Sequence, residues 1–238
     1  MSTLSRIRLV AWREAVALGR APTTWFFLAV FLALGGVIFV NHLAASRYAS
    51  LDGFYVRLAT LLMFFVPALA CRSFTGDRVG GLLPLYAVSP LTERELVWGR
   101  FFGLGVWIFA AVILTFEYPL ILMAYSDPDP GPFCGATLGL GLFSAVLLSQ
   151  TLFVSTLTAN FSLAAVMSVG LSLVFWWAIP IGKMAGPLLG AEIASLSILA
   201  PFVNFCHGVV STGDVTFLLG LALLFLSAAC RGVEARRW

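Results

Sequence analysis

Hydrophobic positions in this chain come in long unbroken runs, not in alternating or one-sided patterns. Residues 25–43, 55–71, 101–124, 133–159, 161–182 and 215–230 are each overwhelmingly apolar. A helix rises about 1.5 Å per residue, so about 20 apolar residues cross a hydrocarbon core of about 30 Å. The pattern predicts an all-α integral membrane protein with six transmembrane helices. Pro22 breaks the chain before the first run, and Pro67 is a kink that a span tolerates. The Ser126–Pro132 stretch, SDPDPGP, reads as a turn, and Asn160 marks a tight reversal.

The polar stretches between the runs carry patterns of their own. In residues 1–22, Arg6, Arg13 and Arg20 recur every seven positions along one stripe, opposite Leu4, Ile7, Ala11 and Leu18. Arg8 and Trp12 sit at its margin. Together they predict an amphipathic helix lying in the membrane interface. Residues 72–100 form the longest charged interruption. Within it, Thr92-Glu93-Arg94-Glu95 is a capping box that starts a helix leading into the third span. Gly80-Gly81 reads as a hinge, with one or two short helices expected across the membrane face. Residues 183–213 are too polar for a span and too apolar for a solvated loop, so short interfacial helices are expected there. Asp214 is the expected cap of the sixth span.

The composition agrees: 61% of the 238 residues are hydrophobic and 11% charged. Soluble domains run at about 45–50% and about 25%. No polar stretch is long enough to fold as a separate domain. The charge is also asymmetric. Arg6, Arg8, Arg13, Arg20, Arg72, Arg78, Arg94, Arg100, Arg231, Arg236 and Arg237 fall on one side of a six-span chain; Arg47, Arg57 and Lys183 fall on the other. The positive-inside rule then places both termini and residues 72–100 in the cytoplasm.

Catalytic chemistry is sparse. The only lysine, Lys183, is followed by Met184, and Trp177 stands where a Walker A glycine would be. His42 and His207 belong to no metal or triad spacing. No GxSxG or HExxH occurs. A conducting pore would need polar groups stacked along the spans, and Glu117 alone is singled out as an intramembrane candidate. That carboxylate either meets a partner or substrate, or reaches the outer interface through a kink at Pro119. Cys134 and Cys206 fall on the same outer side, which leaves a disulfide open. Gly99-x-x-x-Gly103 and Gly135-x-x-x-Gly139 permit close helix approach, more readily within the chain than in a dimer.

Arg13-Glu14, Ala21-Pro22, the run Phe27–Leu32 and Arg72-Ser73-Phe74 succeed one another along the chain. Asp77-Arg78, Gly80-Gly81, Ser89-Pro90, Tyr118-Pro119 and Phe205–Val209 follow. In that order the chain resembles the permease subunit of type-2 ABC exporters, closest to the gliding-motility-associated permeases. Pro84 and Leu82 depart from the family, which usually has glutamate and threonine there. The resemblance implies one permease domain in a bacterial inner membrane. Its partners would be a cytoplasmic ABC ATPase, a second permease copy or sister permease, and the lipid bilayer, with no nucleic acid. ATP and magnesium would be bound by the ATPase and no cofactor by this chain. Residues 72–100 become the coupling segment: Arg72, Asp77, Arg78, Glu93 and Arg94 supply docking charges, and Leu82, Leu83, Leu85 and Tyr86 apolar anchors. The alternative is a non-transporting scaffold of a motility or assembly complex.

Overall fold

A computed structural model describes residues 3–45, 52–79, 92–125, 130–184, 186 and 190–235. No strand occurs among them; helices account for nearly all. In chain order these are α1 (Thr3–Arg20), α2 (Pro22–Ala45), α3 (Asp52–Ala70), α4 (Arg72–Val79), α5 (Glu93–Leu114) and α6 (Glu117–Tyr125). They continue with α7 (Pro130–Leu157), α8 (Phe161–Trp176), α9 (Ala178–Met184), α10 (Gly190–Ser195), α11 (Leu199–Cys206) and α12 (Thr212–Glu234). Five helical stretches are long and apolar enough to cross a membrane: α2, α3, α5 with α6, α7 and α12. A sixth exists if α8 and α9, bent by 63°, count as one span.

The helices outrun the apolar runs at several ends. α5 begins at Glu93, eight positions before residue 101, because the capping box forms. The Glu95 N–H donates to the Thr92 hydroxyl (3.3 Å), and the Thr92 N–H to the Glu95 carboxylate (3.0 Å). α3 passes almost directly into α4, joined by the Cys71 N–H on the Pro67 carbonyl (3.0 Å). Arg72 to Val79 therefore extends a span and does not open a loop. At α12 the cap is Ser211, not Asp214. The Ser211 hydroxyl accepts from the Gly213 N–H, and Asp214 instead accepts from the Asn204 side-chain amide (2.9 Å).

Two breaks share one cause. A proline in a helix removes a donor, and its ring collides with the carbonyl four residues upstream. Pro119 makes that demand at Thr115, and α5 ends at Leu114. Pro180 makes it at Trp176, where α8 ends and the 63° bend follows. The third span is thus interrupted ahead of Pro119 and not kinked at it.

α7 runs through the middle and packs on α3, α4, α5, α8, α11 and α12. Leu140, Phe143, Val146 and Leu152 are fully enclosed there. So are Ser144, Ser149, Gln150, Thr151, Ser155 and Thr156. The sequence reading, which singled out Glu117, missed this polar column. The five hydroxyls each donate to a carbonyl of their own helix three or four residues back. Gln150 donates across to α8, to the Ser168 carbonyl (2.8 Å) and the Ser172 hydroxyl (2.9 Å). The column is spent on packing and offers no continuous polar path.

α2 is held to α3 by aromatic contacts, with Phe31 and Phe65 centroids 4.8 Å apart. At mid-length it receives one polar bond, from the Tyr118 hydroxyl to the Leu32 carbonyl (2.6 Å).

Candidate functional site at the arginine-rich end

The expected interfacial helix is sequestered along one face. α1 packs lengthwise on α5, where glycines let the two backbones approach. A Cβ on Gly99 would lie 2.6 Å from Val10 Cβ, and one on Gly103 would lie 2.8 Å from the Ala11 carbonyl. Further along, the Trp107 indole N–H donates to the Ala15 carbonyl (2.9 Å). Ile7, Ala11 and Leu18 thus turn toward protein, whereas Leu4, Leu9 and Trp12 remain exposed. Gly135-x-x-x-Gly139 likewise faces Phe205 of α11. Both glycine pairs serve packing within the chain.

This seam is reinforced by charge. Arg100 is fully buried: Nη1 donates to the Ser73 carbonyl (2.7 Å), Nε lies 3.4 Å from the Glu14 carboxylate, and the guanidinium stacks 4.1 Å from the Phe74 centroid. One side chain thereby joins α1, α4 and α5. Enclosing a guanidinium is costly unless its charge and donors are matched, and these three partners offset part of that cost. Glu14 also lies 3.9 Å from Arg13. Arg6 lies 3.6 Å from the buried Glu95 carboxylate, so the capping box also anchors α1.

The remaining predicted residues are dispersed around this cluster. Arg72 is exposed, with its guanidinium 5.9 Å from the Phe161 ring, at the mouth of a cleft between α2, α3 and α8. Glu93 and Arg94 line a cavity of about 720 Å³ against α12, together with Trp98, Arg231 and Glu234. They border the C-terminal helix and are not part of a separate loop. Asp77 and Arg78 lie on α4, but their side chains fall outside the described residues, as do Leu82, Leu83, Leu85 and Tyr86. Arg13, Arg20 and Trp12 are exposed on the outer face of α1. The proposed hinge at Gly80-Gly81 is likewise outside the described residues.

Glu117 opens α6 after the break and is exposed on the bundle surface, away from this end. Its neighbour Tyr118 points inward, against Phe39 and Phe54. Cys134 is exposed and Cys206 buried, and no disulfide joins them. Among the described residues no group of three or more His, Cys, Asp or Glu side chains could hold a metal.

Arg100 was the residue the sequence reading undervalued. By position it is one more arginine on the positive-inside face. Its one local signal is its place between Gly99 and Gly103, on the face of α5 that meets α1. In comparisons with known proteins, no protein-family model and no curated protein matches the chain.

Proposed function

We propose that this chain is the permease subunit of an ATP-driven transporter, powered by a separate cytoplasmic ATPase that binds the ATP and magnesium. In this reading it crosses a bacterial inner membrane six times, α8 and α9 forming one bent span, with both termini cytoplasmic. A second copy or a sister permease completes the assembly. The observation that carries the reading is Arg100. Residues 80–91 connect α4 to α5, and Arg100 ties those helices to α1. A push on that connection reaches α1 and a 22-residue span helix as one unit. Such a junction suits force delivered from outside the chain. The exposed Arg94 would supply docking charge beside it.

The test is co-purification from native membranes. A protein with a Walker A lysine should accompany the chain, and exchanging Glu93 and Arg94 for each other's charge should weaken that association and uncouple hydrolysis from transport. If no such protein accompanies the chain, the scaffold reading replaces this one. If the double variant keeps its ATPase and still transports, these two residues are not coupling residues. Orientation is checked separately: a cysteine at Asp129 should react with an impermeant reagent in intact cells, and one at Asp77 should not.

A further inference from the structure

Between α2, α3 and α8 the bundle opens sideways in a cleft of about 1240 Å³. Its walls are apolar: Phe27 from α2, Phe64, Pro67 and Ala68 from α3, and Ala165, Val166, Val169 and Leu173 from α8. From Phe161 to Leu173 it follows α8 for thirteen residues, a rise of about 18 Å, close to the depth of one leaflet. Gly170 leaves open space on its wall; a Cβ there would meet nothing within 4 Å.

Polarity is confined to the arginine-rich end. There Arg72 is held over the Phe161 ring, beside Thr23 and Thr75. Thr23 and Phe161 stand in the first turns of α2 and α8, whose N-terminal dipoles add positive potential to that of Arg72. No acidic side chain is among the described residues that line the cleft.

An apolar trough one leaflet deep, with a cation at its interfacial end, has the shape and charge of a single amphiphile. We propose that this cleft seats an anionic glycerophospholipid from the leaflet on the arginine-rich side. An acyl chain lies along α8 and the phosphate lies at Arg72. This goes beyond the transporter reading and does not depend on it, since the site needs neither an ATPase nor transport.

The test uses the full chain in phosphatidylcholine vesicles. These carry a trace of phosphatidylglycerol or of phosphatidylcholine, each with a photoactivatable diazirine in its acyl chain. Adducts are mapped by peptide mass spectrometry. A basic residue at a membrane surface favours anionic lipid by about 1 kcal/mol, so phosphatidylglycerol should label Phe64–Ala68 and Ala165–Leu173 about fivefold more than phosphatidylcholine. Labelling of the exposed Leu219, Leu223 and Leu224 on α12 should show no such preference. Arg72→Gln should remove the preference, Arg72→Lys should retain part of it, and Gly170→Trp should exclude both lipids. Equal labelling by the two lipids, or a preference that survives Arg72→Gln, overturns the proposal and leaves ordinary boundary lipid. So does an unlabelled cleft in which Val166→Cys cross-links to a second copy. Loss of ATPase association with lipid labelling intact would count against the transporter reading alone.

Discussion

Gly103 and Gly170 are both glycines in the middle of a helix, yet their surroundings differ completely. A Cβ on Gly103 would come within 2.7 Å of Glu14 Cβ; one on Gly170 would meet nothing within 4 Å. The first glycine belongs to the side where α1 and α5 are packed backbone to backbone and where Arg100 ties both to α4. The second lines the cleft between α2, α3 and α8, where the walls stand apart. One side of the protein is therefore organised to move as a body, and the other to admit something. The contrast locates rigidity at the arginine-rich seam and vacancy beside α8.

The contrast can be broken most forcefully at Arg100. Arg100→Ala strands the Ser73 carbonyl and leaves the partly exposed Glu14 with Arg13 alone, so the loss should fall at the lower end of the range for a broken buried pair, about 3 kcal/mol. A thermal melt of the purified chain in detergent should show a large drop. Arg100→Lys should recover little of it, because a lysine lacks the planar guanidinium that lies over Phe74 while donating to Ser73.

Next in size is Gly103→Leu, which overpacks the α1–α5 seam and should cost about 1–3 kcal/mol in the same melt. Cross-linking between cysteines at Leu18 and Trp107 would report whether α1 has moved away. A wild-type melting point would mean that α1 is not seated as described. Thr92→Ala removes the cap of α5 and should cost about 1 kcal/mol. The Glu95 backbone N–H loses its acceptor, while the carboxylate keeps the N–H of residue 92 and Arg6. Smallest, and opposite in sign, is Gly170→Ala. With room for the methyl group and better helix propensity, it should be neutral or gain up to about 1 kcal/mol. A clear loss there would mean that the cleft is filled by protein.

Much of the rigid side was legible in the chain, though not its purpose. The capping box at Thr92 and Glu95 depends on contacts three residues apart, so local spacing was enough to find it. Arg100 was different. Its partners are Ser73, 27 positions away, and Glu14, on another helix, so no local window distinguishes a buried bridge from a positive-inside charge. The same limit hid the seating of α1. Its stripes of arginine and leucine fit a membrane surface and a glycine-lined helix equally well. Pro119 and Pro180 were visible as residues, but the breaks fall upstream, at the carbonyls their rings would strike. The hydroxyls of α7 looked dispersed because their burial is set by six neighbouring helices. The cleft could not be read at all, since an apolar wall and an apolar core use the same residues.

Tyr118 has a mechanical consequence for α2. Its hydroxyl grips the Leu32 carbonyl near the midpoint of a 24-residue helix. Trp25 near one end is tethered by its indole N–H to the Gly19 carbonyl (2.8 Å). Besides these two ties, α2 is clamped to α3 by rings on either side of Leu32: Phe27 and Phe31 on Phe65, and Phe39 on Phe54. Tyr118→Phe removes the polar tie and leaves those rings in place, so spin-label distances between Val40 and Ile121 should broaden while those between Trp25 and Trp107 stay as they are.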